Sequence, residues 1–191
     1  MNKKEIEIQV KLGDGKPLLE FLGKNADFKG EYHQIDEYYT PPHKDFSASR
    51  PVNEWLRLRD SEGQYSINYK YWHYDGDEKS RYCDEYESRI EDIDTLRKIF
   101  KALDFRSVVT VDKYRKIWIY KHFEITMDDV KNLGDFVEIE YIGESTNLNP
   151  AEINKEMINF LKDVGCKDIQ RNYVGYAFSL MARDEVKWEE Q

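Results

Sequence analysis

The feature that most limits what this chain can fold into is a series of short alternating segments whose polar face repeats one sign of charge. In EIEIQVKL, Glu5, Glu7, Gln9 and Lys11 share one side of an extended strand, and Ile6, Ile8, Val10 and Leu12 take the other. WLRLR puts Arg57 with Arg59; YSINYKYW aligns Ser66, Asn68 and Lys70; DEYESRI groups Glu85, Glu87 and Arg89. VDKYRKIW pairs Lys113 with Arg115, FEITMD sets Glu124, Thr126 and Asp128 together, and FVEIEYI does the same for Glu138 and Glu140. Acids and bases therefore predominate on different strands.

One charged strand face ordinarily faces water, because an antiparallel sheet commonly exposes one side. Here, however, most charged faces double a like charge instead of mixing signs, and like charges two residues apart repel. That arrangement becomes favourable when something of opposite sign fills the space between the strands. A curved antiparallel sheet with helices on its apolar outer face would turn the charged face inward. The expected fold is thus α+β, a closed antiparallel β-barrel or tunnel with a charged interior. Arginine and lysine in such a space bind phosphate oxygens, and clustered carboxylates hold hard divalent cations that bridge to the same phosphates.

Helical spacing is clearest over residues 92–105, where Ile93, Leu96, Ile99, Phe100 and Leu103 recur, and over 149–165, where Asn149 can cap, Pro150 suits the first turn and Gly165 can end the helix. Shorter helices are expected at 15–25 and 174–182, and the proline-rich stretch 40–51 reads as a surface loop. The 191 residues suit one domain, expected over 1–183 with a tail at 184–191. With 35% charged residues and no apolar run near the ~20 residues of a membrane span, the expectation is a cytoplasmic protein with no membrane contact. A net charge of −9 argues against nucleic acid. Cys83 and Cys166 lack metal or disulfide spacing, the histidines show no metal spacing, and no P-loop or Ser/His/Asp set is present.

The order of the charged segments resembles the CYTH superfamily of triphosphate tunnel proteins, named for class IV adenylyl cyclases and thiamine triphosphatases. EIEIQVK resembles its ExExK signature and QIDEYYTP (34–41) its QxDxYF-type segment; LRLR, NYK, EYE, VDKYR, MDDVKNLGDFVEIE and RNY follow in family order across nearly the whole chain. The resemblance implies that Glu5, Glu7, Asp128, Glu138 and Glu140 bind Mg²⁺ or Mn²⁺. It implies that Arg57, Arg59, Lys70, Lys113, Arg115 and Arg171 grip a triphosphate, with Glu85 and Glu87 as further tunnel acids. Gln9 stands where the family has lysine, so Lys11, one pleat on, is the expected substitute.

The activity so implied is class IV adenylyl cyclase-like, attack of the ribose 3′-hydroxyl of ATP on the α-phosphorus with release of pyrophosphate. Hydrolysis of tripolyphosphate, thiamine triphosphate or a nucleotide uses the same parts, and a non-catalytic nucleotide or polyphosphate sensor is the third reading. No catalytic base is assigned, and a homodimer is compatible with the family.

Overall fold

The computed structural model describes residues 3–74, 76, 79–144 and 149–191. In chain order the strands are β1 (Lys3–Glu5), β2 (Glu7–Lys11), β3 (Asp27–Thr40), β4 (Glu54–Ser61), β5 (Gln64–Tyr74), β6 (Ser80–Ile90), β7 (Arg106–Tyr120), β8 (Phe123–Val130), β9 (Gly134–Tyr141), β10 (Gln170–Arg171) and β11 (Glu189–Glu190). The helices are α1 (Lys16–Asn25), α2 (Ile93–Ala102), α3 (Pro150–Asp163) and α4 (Gly175–Met181).

Every pairing is antiparallel, and the strands form one sheet in the order β1-β6-β5-β4-β3-β7-β8-β9-β2-β10-β11. Consecutive hairpins account for most of that order. The β4–β5 turn, for example, places Glu62 and Gly63 at φ 52° and 85°, the positive values a tight two-residue hairpin requires.

The sheet is antiparallel as expected, but among the described residues hydrogen bonds do not close it into a barrel: its ladder runs from β1 to β11. The reason lies in the N-terminal strand, which is interrupted at Ile6. Its first part pairs with β6 through Glu5↔Cys83, and its second with β9 through Glu7↔Glu140. The two flanks of the sheet are therefore joined through the covalent chain at Ile6.

The helices form where spacing predicts them. Asp92 accepts from the Thr95 amide at 2.9 Å to start α2, and Asn149 accepts from the Ala151 amide at 3.0 Å to start α3. Beyond α3, Gly165 takes φ 92°. The largest core lies outside the sheet: Ile6, Ile8 and Val10 pack with Ile125 and Ile139 beneath Leu18 and Leu22 of α1 and Met157 and Leu161 of α3. Each such fully buried aliphatic side chain contributes about 1.5–3 kcal/mol. Ile93 and Phe100 of α2 cover Leu58 in a second cluster. A third, with Trp55, Val111 and Phe136 against Tyr176 and Phe178 of α4, forms an apolar floor at one end of the inner face.

Strand β3 is absent from the seven alternating segments. Its fourteen residues carry glycine and both signs of charge, so no single-charge face marks it, yet it is the hub between β4 and β7. The terminal Glu189–Glu190 add a strand against Gln170 and Arg171. Among the described residues no helix is long and apolar enough to cross a membrane.

Candidate functional site

The inner face of the sheet surrounds a cavity of about 280 Å³. Its basic lining comes from Arg57 and Arg59 of β4, Lys70 of β5, Lys113 and Arg115 of β7 and Arg171 of β10. The acidic lining comes from Glu5 of β1, Glu7 of β2, Glu138 and Glu140 of β9, and Glu85 and Glu87 of β6. Strand parity aims each of these side chains inward, and the curvature of the sheet brings acids and bases from distant strands together.

Asp36 organises the bases. It is 1% exposed on β3 and lies between the two basic strands by register, with Arg59 opposite on β4. Arg59 donates to it through Nε and Nη2 at 2.6 and 2.7 Å, while Arg57 and the ammonium of Lys113 lie 3.6 and 3.9 Å away. Burial opposes ionisation of Asp36, but Arg59, Arg57 and Lys113 outweigh it and hold the carboxyl well below the usual range. The Nε of Arg57 is buried without a hydrogen-bond partner, so this guanidinium keeps donor capacity for a ligand.

Asp128 plays a matching part for Arg115. Nε and Nη2 of that arginine donate to Asp128 at 2.8 and 2.5 Å, Tyr176 donates to it at 2.8 Å, and Lys113 lies 3.7 Å away. Arg115 also contacts Glu138. For Lys113 the balance goes the other way: burial, reinforced by Arg115 and Arg59 and only partly opposed by Asp128 and Glu138, pushes its ammonium down to about 8. Across the cavity, Lys70 donates to Glu5 at 2.8 Å and lies 3.7 Å from Glu85, which accepts from Asn68 at 2.5 Å. The Cys83 thiol donates to Glu5 at 3.0 Å.

The acids form rows across adjacent strands. Glu140 pairs in register with Glu7 on one side and Glu124 on the other; Glu138 pairs likewise with Gln9 and Thr126. Burial raises Glu7 well above the usual carboxylate value, and Glu5 and Glu138 add to that rise against the pull of Lys70. Among the described residues no group of three or more His, Cys, Asp or Glu side chains is already gathered around a metal position. Glu138 and Glu5 are instead engaged by Arg115 and Lys70.

Two expected site residues lie elsewhere. Lys11 does not line the cavity: its ammonium donates to the Leu133 carbonyl at 2.9 Å and sits 4.7 and 5.2 Å from the Phe136 and Trp188 rings. It has the correct parity, but its pleat lies beyond the polar space, where aromatic rings fill the end. Asp128 lies behind Arg115 and is also outside the lining. Conversely, Asp36, Glu124 and Gln9 belong to the site or its support without having been assigned to it. Asp36 falls inside the QIDEYYTP segment, and the parity of FEITMD marked Glu124.

Comparisons with known proteins agree with this fold. The CYTH domain model matches residues 3–173. The MJ0240 protein of Methanocaldococcus jannaschii, named as a candidate adenylate cyclase, is 35% identical over 83% of this chain and 87% of its own. The PH1819 protein of Pyrococcus horikoshii OT3 superposes with a TM-score of 0.73 at 26% identity, covering 94% of this chain and 99% of that one. A candidate adenylyl cyclase of Hippeastrum, whose structure is described as revealing a dominant triphosphatase activity, shares the fold with a TM-score of 0.62 at 17% identity, covering 95% and 96%. With nearly its whole length matched and its inner face lined as described, the chain belongs to the CYTH domain family.

Proposed function

We propose that the protein binds a triphosphate compound in this cavity and cleaves a phosphoanhydride bond, with cyclisation of ATP as the leading reaction. One observation carries the reading: five basic side chains from three strands converge on a partly enclosed space that four glutamates border from the other side. Arg57, Arg59, Lys70, Lys113 and Arg115 would bind phosphate oxygens and neutralise charge that accumulates on them. Asp36 and Asp128 would hold the guanidinium planes of Arg59 and Arg115 in place.

The carboxylates suit a hard divalent cation such as Mg²⁺ or Mn²⁺. Burial raises Glu7 and the neighbouring Glu5 and Glu138 add to it, a cost that a cation among the acids would relieve, and Glu7, Glu138 and Glu140, with Glu5, would hold it. When bound it supplies Lewis acidity and charge neutralisation at the phosphates. In the cyclase reading the ribose 3′-oxygen forms a bond to the α-phosphorus, pyrophosphate leaves and the hydroxyl proton is released. The basic wall would position the phosphates in line for that attack. The Trp55, Trp72 and Tyr74 rings in the lining offer apolar surface for a nucleoside, an observation that favours a nucleotide over bare tripolyphosphate.

In hydrolysis water would form the bond to a terminal phosphorus, the bridging anhydride oxygen would leave with the rest of the molecule and orthophosphate would be released; the Hippeastrum protein illustrates that outcome on the same fold. Incubation with Mg²⁺ or Mn²⁺ and ATP, tripolyphosphate or thiamine triphosphate separates the readings. Cyclic AMP with pyrophosphate supports cyclisation and orthophosphate supports hydrolysis. Metal-dependent binding with no turnover of any of the three would point to a sensor and overturn the enzymatic reading.

A further inference from the structure

Among the described residues, two polar atoms on the acidic wall of the cavity have no hydrogen-bond partner. Gln9 and Thr126 flank Glu138 in one row of the sheet and are 7% and 3% exposed. The Gln9 Nε2 donates to Glu138 Oε1 at 2.9 Å. Glu138 also contacts the Arg115 guanidinium, which carries donors only, so the carboxylate accepts from both neighbours. The amide must therefore turn its nitrogen toward Glu138 and its oxygen away. That Oε1 and the Thr126 Oγ1 are both buried without a hydrogen-bond partner. Burying such an atom unsatisfied is unfavourable.

A lysine at position 9 would reach Glu138 from the same register position and set a full positive charge against it. The glutamine donates one hydrogen bond and leaves the carboxylate charge in place. Beside this row stand Glu7, Glu140 and Glu124, all lining the cavity. The wall thus offers carboxylate oxygens together with two neutral oxygens, a donor set suited to a hard cation that retains part of its water.

We infer that Gln9 sets the ligand preference of this wall: it adds no positive charge to the Glu138 carboxylate beyond that of Arg115, and offers its own oxygen to a divalent cation or to a water the cation carries. Thr126 supplies the second neutral oxygen. The inference rests on the reading of the cavity as a metal and triphosphate site, and predicts that this chain takes up the cation before any triphosphate arrives.

The test is calorimetric titration of the full chain with Mn²⁺ alone, and separately with tripolyphosphate in the presence of a chelator. Wild type, Gln9→Lys and Gln9→Met are compared after circular dichroism has shown matching spectra. Gln9→Lys is expected to weaken Mn²⁺ binding by roughly tenfold or more and to tighten metal-free tripolyphosphate binding. Gln9→Met, which removes the oxygen without adding charge, is expected to weaken Mn²⁺ binding severalfold and leave metal-free tripolyphosphate binding no tighter. Wild-type Mn²⁺ affinity in both variants would overturn the role given to Gln9 while leaving the functional reading intact. A wild-type protein that binds neither Mn²⁺ nor tripolyphosphate would overturn both. If Gln9→Lys does not fold, Gln9→Met alone decides: unchanged Mn²⁺ affinity rejects the role of the oxygen and with it the inference.

Discussion

Arg115 and Asp128 face each other across β7 and β8 in a two-pronged ion pair, Nε to Oδ1 at 2.8 Å and Nη2 to Oδ2 at 2.5 Å. With Tyr176 also donating to it, Asp128 has its oxygens directed at groups that shape the basic wall. Burial works against its ionisation, but Arg115 and Lys113 bring the carboxyl down to about 2. Asp128→Asn is therefore expected to weaken tripolyphosphate binding severalfold, because Arg115 loses its fixed plane, while Mn²⁺ affinity stays within about twofold of wild type. Titration calorimetry with each ligand checks this. A selective loss of Mn²⁺ binding would make Asp128 a metal ligand instead.

Asp36 anchors three cations with almost no access to water, so its removal leaves buried positive charge uncompensated. Asp36→Asn is expected to cost about 3–5 kcal/mol in urea unfolding. The folded carboxyl titrates well below its unfolded value, so its contribution is present above the unfolded pKa, near pH 4, and is lost as pH falls from there toward the folded value. Wild type should lose stability over that acid range more steeply than Asp36→Asn, as urea midpoints between pH 5 and 2.5 would show.

Lys113 is charged in the folded protein only below about pH 8. It faces Arg115, Arg59, Asp36, Asp128 and Glu138, and its proton is the one in this group set to leave near neutrality. Metal-free tripolyphosphate affinity should fall as pH rises through about 8. Lys113→Arg, which keeps its charge, should remove that fall. A titration series from pH 6.5 to 9.5 reads the difference, and identical profiles for the two proteins would contradict it.

Glu138 touches Arg115, but Arg115 keeps Asp128 when Glu138 is replaced. Glu138→Gln is accordingly expected to lower triphosphate turnover by roughly a hundredfold while the thermal midpoint stays near wild type. A large drop in the midpoint with turnover per folded molecule preserved would make the residue structural.

The side of the sheet that each charge takes is a local property, readable from a two-residue period: Glu5, Glu7, Arg57, Arg59 and Glu138 all follow it. The helix starts at Asp92 and Asn149 are equally local, since the capping side chain and the amide it serves lie within three residues. Depth along the cavity is not local. Lys11 obeys the same parity as Gln9, yet one pleat carries it from the polar space to the Phe136 and Trp188 rings. Nor could the period mark Asp36, whose importance comes from β3 lying between β4 and β7, a consequence of sheet order. Closure depended on how two flanks meet at Ile6, which pairing across the whole chain decides.

The most direct measurement is a crystal structure of the protein soaked with Mn²⁺ and a non-hydrolysable ATP analogue. The account predicts phosphate oxygens against Arg57, Arg59, Lys70, Lys113 and Arg115, with Mn²⁺ on the side of Glu7, Glu138 and Glu140. Phosphates bound on the outer surface, or a cavity in which the Lys70–Glu5 and Arg115–Glu138 pairs persist while ligand is excluded at saturating concentration, would contradict it.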